Sequence, residues 1–211
     1  MRALGIDVGV RKGLDLVLVE TPRTVVEVSS HVTPAELASH IGHLKPDTIA
    51  LDSPPAFGHG GPRKTEQALR KRGISLYATP WDEGKKIRPF YNWMREGFKV
   101  FHACATAGFP LFSDHGYLGS AMEVFPYASS VALGGALRPK GVRKKAWRTS
   151  VLKSQGIDTS FLKTVDSIDA ALAALTGLFA LEDCVCWLGE PSEGVIILPC
   201  RKADLKERYT S

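Results

Sequence analysis

Cysteine is scarce in this chain. Four occur in 211 residues (Cys104, Cys184, Cys186 and Cys200), and none belongs to a C-x-x-C pair. That spacing excludes a paired cysteine metal site and leaves buried thiols of a reducing cytoplasm as the expectation. Long apolar runs are lacking too. The longest candidate, Ile168 to Leu181, is interrupted by Asp169, so no membrane span is expected. No signal-peptide pattern precedes the first strand, which starts almost at once, and a cytoplasmic location follows as an expectation. Internal repeats and low-complexity linkers are also missing. What remains, 44% hydrophobic and 23% charged, fits one globular domain over residues 1–211 with a sizeable insertion. A formal charge of +5 admits a polyanionic partner.

The chain is organised around Leu4-Gly5-Ile6-Asp7-Val8-Gly9 and the apolar run Leu14 to Val19 that follows it. The pair reads as a β-hairpin with a buried first strand and Asp7 near that strand's end. A carboxylate there costs several kcal/mol, on the order of a lost fold contact, unless it is paired. Two partners are open to it: a cation shared with other acids, or backbone groups at the turn.

A third strand is expected at Thr24 to Val28. Thr33-Pro34-Ala35-Glu36 carries an N-cap threonine, a proline in the first helical position and a capping-box glutamate. An amphipathic helix follows on Leu37, Ile41 and Leu44, and a fourth strand, Thr48 to Asp52, stops at Ser53-Pro54-Pro55. Three strands, a helix and a further strand make an α/β pattern whose last strand runs parallel to the first. Residues 57–119 read as a largely helical insertion: a basic helix from Arg63 to Arg72, a short strand from Ile74 to Thr79, and a helix from about Pro89 to Ala107. Beside Asp52, this segment has the place of a lid or recognition element. Ala121 to Pro126 is expected as a core strand carrying Glu123, and Ala128 to Leu137 as a short helix. Further helices are expected from Lys145 to Gln155 and from an Asp166 N-cap, and a C-terminal hairpin turns at Glu190 to Glu193.

Asp7, Asp52 and Glu123 interrupt predicted strands, and Asp169 lies in the first turn of a helix. Adjacent parallel strands place Asp7 and Asp52 at one edge of an open sheet, where α/β sites form. Clustered acids suit Mg²⁺ or Mn²⁺, and two such ions about 3.5–4 Å apart support phosphodiester cleavage without cysteine and with few histidines. Each acid also has a plainer reading: Asp52 as a turn carboxylate, Asp169 as a capping partner of Asp166, Glu123 as the mate of an arginine. Jointly they favour a shared site.

Gly5-Ile6-Asp7-Val8-Gly9, Leu51-Asp52-Ser53-Pro54-Pro55-Ala56 and Asp166-Ser167-Ile168-Asp169-Ala170-Ala171 together resemble the ribonuclease H-like superfamily, which includes Holliday-junction resolvases. More narrowly, the chain resembles the "domain of unknown function 429" family of predicted nucleases. That likeness is also carried by Arg63-Lys64-Thr65-Glu66, Phe90-Tyr91-Asn92-Trp93-Met94, Glu123-Val124-Phe125-Pro126-Tyr127-Ala128 and Glu190-Pro191-Ser192-Glu193-Gly194. It implies a mixed five-stranded sheet flanked by helices. It also implies a divalent-metal site on Asp7, Asp52 and Asp169 with Glu123 as a fourth catalytic acid. Glu66 is an additional acid candidate, although it stands at i, i+4 from Arg70 as in a surface ion pair; Asp166 serves as N-cap and supports the site.

Arg63, Arg70, Lys140, Lys144, Lys145 and Arg148 are candidates to line a groove for a DNA or RNA backbone, or simply solvated helix faces. Trp93 and Trp147 are stacking candidates that fit a core equally well, and His59 follows Asp52 in a Gly/Pro loop. Three functions compete: a metal-dependent nuclease, a nucleotide-dependent phosphotransferase of the sugar-kinase and actin type, and a non-catalytic nucleic-acid-binding protein. The absence of a second Asp-x-Gly hairpin weighs against the second, and the presence of the acids against the third.

Overall fold

A computed structural model describes residues 1–9, 12–113 and 116–200. Its main sheet is built from β1 (Arg2–Gly9), β2 (Gly13–Glu20), β3 (Thr24–Val32), β4 (Thr48–Asp52) and β5 (Ala121–Glu123), in the order β3-β2-β1-β4-β5. β1, β2 and β3 pair antiparallel, while β4 lies parallel to both β1 and β5. The mixed five-stranded sheet therefore matches the sequence expectation. Between β3 and β4 runs α1 (Leu37–Leu44). Between β4 and β5 lie α2 (Lys64–Lys71), α3 (Glu83–Lys86), a 3₁₀ turn (Pro89–Tyr91) and α4 (Asn92–Thr106). After β5 come α5 (Pro126–Gly134), α6 (Lys144–Ser154), α7 (Val165–Leu181) and the hairpin β6 (Val185–Glu190) with β7 (Gly194–Pro199).

Period-two alternation assigns the two faces of β1. Leu4, Ile6 and Val8 enter one core with Leu37 and Ile41 of α1 and Val100 and Phe101 of α4. Ala3 enters a second core with Val17, Val19 and the α7 residues Ile168, Ala171 and Leu175. Asp7, in phase with Ala3 and Gly5, thus faces α7. That helix is buried along nearly its whole length, which explains its alanine-rich composition: small residues let it lie flat on the sheet. A Cβ on Gly177 would lie 3.0 Å from that of Ala3.

Local structure departs from the sequence reading at several points; the strand expected from Ala121 to Pro126 ends at Glu123, and Pro126 opens α5 instead. Ile74 to Thr79 forms no strand. Its terminal N–H, on Thr79, is donated instead to Glu66 Oε1 of α2 at 2.8 Å, so the segment is pinned by a side chain instead of a ladder. α1 begins at Leu37, not at the Thr33 cap; Glu36 Oε2 accepts from both the N–H and the hydroxyl of Thr33, closing a turn just before the helix. The N-cap of α7 is Thr164, in a reciprocal capping box with Ser167, and not Asp166. Of the insertion expected at 57–119, residues 114 and 115 lie outside the described residues.

Candidate metal centre

Three elements deliver one carboxylate each to the edge where β1 and β4 end. The parallel register sets Asp7 opposite Asp52, so both project from the same face. α7 crosses that face and presents Asp169 one turn in from its N-terminus. Each of the three offers a carboxylate oxygen, and these oxygens lie within 4.8 Å of one another. Asp169 is buried; Asp7 and Asp52 are partly so. Burial and the facing charges of Asp52 and Asp169 push the Asp7 carboxyl up to about 9. Burial and Asp169 likewise raise Asp52 to about 7, against the pull of Arg148 and Lys144. Carboxylates that resist ionisation this strongly suit a hard divalent cation, which lifts the repulsion and takes oxygen donors.

The two basic residues of α6 complete the cluster. Lys144 Nζ stands 2.9 Å from Asp169 Oδ2, and Arg148 Nη1 donates to Asp169 Oδ1. Lys144 is half exposed and Arg148 is buried beneath it, with its guanidinium over the Tyr127 ring. Two cationic groups of α6 therefore reach the acids through Asp169.

Glu123 is not brought into this group. β5 pairs Glu123 with Leu51, one residue short of Asp52, and a one-residue offset turns the side chain to the other face of the sheet. There both its oxygens receive Arg63, with Nη2 to Oε2 at 2.5 Å and Nη1 to Oε1 at 2.9 Å. Burial still raises Glu123, while Arg63 opposes the shift. Arg63 is 2% exposed, so it lies inside the protein rather than on the expected groove. Glu66 is buried beside it, 3.8 Å from Arg63, and not in a surface pair with Arg70.

Asp166 lies near the cluster in a solvent-facing pair with Lys12 at 3.3 Å. Arg70, Lys140 and Lys145 are exposed, the last with its Nζ on the Lys163 carbonyl at 2.6 Å. Trp147 is buried against Tyr127, and His59 is exposed. Sequence reasoning passed over Asp15, which pairs in register with Asp7 and accepts a 2.6 Å hydrogen bond from Ser30 Oγ. Its signal was available: the short hairpin and the alternation of β2 place it on the same face.

A five-stranded mixed sheet with acids on the first and fourth strands and on the helix crossing them defines a ribonuclease H-like fold with a carboxylate cluster at its sheet edge. The chain belongs to the family described as "Protein of unknown function (DUF429)", which matches residues 5–193. Among solved structures it is similar to T. thermophilus RuvC in complex with a Holliday junction substrate, at 15% identity and a TM-score of 0.50, over 83% of this chain and 91% of that one. A Thermus thermophilus RuvC structure is similar at 16% identity and a TM-score of 0.48, over 87% and 97%. No curated protein matches. Among the described residues, no helix is long and apolar enough to cross a membrane.

Proposed function

We propose that the protein is a metal-dependent nuclease that hydrolyses phosphodiester bonds of DNA or RNA. The observation that carries this reading is the meeting of Asp7, Asp52 and Asp169 within 4.8 Å from three separate elements. These three residues would hold Mg²⁺ or Mn²⁺. Bound there, the ion supplies a water of lowered pKa and stabilises charge on the phosphoryl and leaving oxygens.

The chain's own residues do the remaining work. Asp7 and Asp52, which burial and mutual repulsion keep protonated in the metal-free protein, would release those protons to solvent on taking the ion. Lys144 and Arg148 set positive charge beside the acids, where a phosphodiester oxygen needs a partner. Arg148 also holds Asp169 in one orientation, and buried placement keeps that orientation fixed. In this proposal Glu123 and Arg63 are a structural pair that anchors α2 and the β6–β7 hairpin: Arg63 Nε also donates to the Glu193 carbonyl at 3.2 Å.

The test is cleavage of a panel of single-stranded, duplex, hybrid and branched substrates with Mn²⁺ or Mg²⁺, branched DNA being included because the solved neighbour holds a Holliday junction. Cleavage by the native protein and none by Asp7→Asn is the expected result. No cleavage of any substrate, or ATP turnover in its place, would overturn the proposal.

A further inference from the structure

A cleft of about 570 Å³ opens beside Asp52 and runs away from the carboxylate cluster, within the roughly 300–1,000 Å³ typical of small-molecule sites. Its walls carry rings: Tyr77, Trp93, Phe125 and Tyr127. Its floor is polar and buried, with Glu66 and Thr79 each 1% exposed. Arg138, Lys144 and Arg148 line it as well, so positive charge is carried into the cleft.

Buried polar atoms in proteins nearly always find a partner. Among the described residues four side-chain atoms do not, and two of them belong to residues that line this cleft: Arg148 Nε, a donor, and Glu66 Oε2, an acceptor. Both atoms are buried behind the cleft wall; what the cavity itself presents, rings beside cationic side chains next to Asp52, matches one chemical class. A nucleotide brings phosphate oxygens, a flat π-face and base N–H groups together. At the mouth, Tyr77 is 69% exposed and packs edge-on to Phe90, 52% exposed, with ring centroids 4.9 Å apart. Exposed rings continuous with such a cavity offer neighbouring bases a place to stack.

We propose that this cleft is a nucleotide-recognition subsite that receives one unpaired base of the strand whose phosphate lies at Asp7, Asp52 and Asp169. The identity of the occupant rests on the nuclease reading above. A paired base has its Watson–Crick edge in use and must leave the stack to enter, a cost that single strands and opened junctions largely escape. The substrate class is therefore unpaired or locally opened nucleic acid.

The experiment is fluorescence anisotropy in EDTA, with labelled 12-nucleotide dA, dC and dT strands and a blunt duplex hairpin. Single strands are expected to bind at least tenfold more tightly than the hairpin, whatever their base. Trp93→Ala and Tyr77→Ala should each weaken single-strand binding about tenfold and leave hairpin binding unchanged. Equal binding of strand and hairpin, or native affinity in both aromatic variants, overturns the subsite. Because no metal is present, the readings fail separately: cleavage by native protein together with indifferent aromatic variants sinks only the subsite, and selective strand binding without cleavage sinks only the nuclease.

Discussion

Gly5 lies so close to Ala170 that a Cβ added to the glycine would stand 1.9 Å from the Ala170 carbonyl oxygen and 2.3 Å from the Ala174 nitrogen. Here β1 touches the backbone of α7, and this contact is what brings Asp7 and Asp169 into one cluster. Neither obstacle is a side chain that can swing aside.

Gly5→Ala must therefore push the helix off the strand. We expect a loss of about 1–3 kcal/mol or more from overpacking, together with at least tenfold weaker Mn²⁺ binding as the two carboxylates separate. Gly42→Ala is the control: it lies within α1, has nothing near its Cβ position, and should be neutral or stabilising by up to about 1 kcal/mol. Thermal melts with and without Mn²⁺ read both effects. Native-like Mn²⁺ affinity in a folded Gly5→Ala protein would contradict this account of the cluster.

Removing charge from two members of the cluster should have opposite consequences for the metal-free fold. Among the described residues Asp7 has no ion pair, and burial disfavours its ionised form, so Asp7→Asn should leave stability unchanged or raise it. Asp169 is the partner of buried Arg148, and Asp169→Asn strands that guanidinium at a cost of about 3–5 kcal/mol. Both variants should lose the Mn²⁺-dependent rise in melting temperature and all cleavage. Equal metal-free melting temperatures in the two variants would show that Arg148 does not depend on Asp169.

Glu123→Ala should behave as a stability mutant. With its carboxylate gone, Arg63 keeps Glu66 at 3.8 Å but loses its bidentate partner in a buried site, and a loss of about 3–5 kcal/mol is expected. Assayed well below its melting temperature, the variant should bind Mn²⁺ with native affinity. A weakened affinity in the folded variant would return Glu123 to the metal centre.

What could be read in advance follows from how local each determinant is. The hairpin, the parallel fourth strand and the acids Asp7, Asp52 and Asp169 were legible because alternation and strand order fix them. Glu123 was left open between a site acid and the mate of an arginine because its face depends on the register of β5 against β4, a single-residue offset that no pattern within Ala121 to Glu123 records. Arg63 was misplaced for the same reason on a larger scale: a basic helix reads as solvated, and only the fold shows a carboxylate 60 residues away in sequence waiting inside. The cleft was invisible too, since Tyr77, Trp93 and Tyr127 come from three separate segments.

Metal binding should depend on pH in a direction set by the raised carboxylates. Asp7 and Asp52 move from an ordinary 3.8 to about 9 and about 7 in the folded protein. Between roughly pH 4 and 9 the metal-free native state thus holds protons that the unfolded chain has released. Stability is then fully present below pH 4 and falls as pH rises through the folded values. A divalent ion needs the ionised carboxylates and must displace those protons. Each proton displaced makes apparent affinity rise about tenfold per pH unit. The slope should be close to two below pH 7, close to one between pH 7 and 9, and flat beyond. The stabilisation given by Mn²⁺ should grow over the same range, because the ion relieves the repulsion that destabilises the metal-free protein. Calorimetric Mn²⁺ titrations at pH 6, 7 and 8 in buffers of differing ionisation enthalpy measure both affinity and protons released. Affinity independent of pH, with no proton release, would mean that the ion does not bind through Asp7 and Asp52.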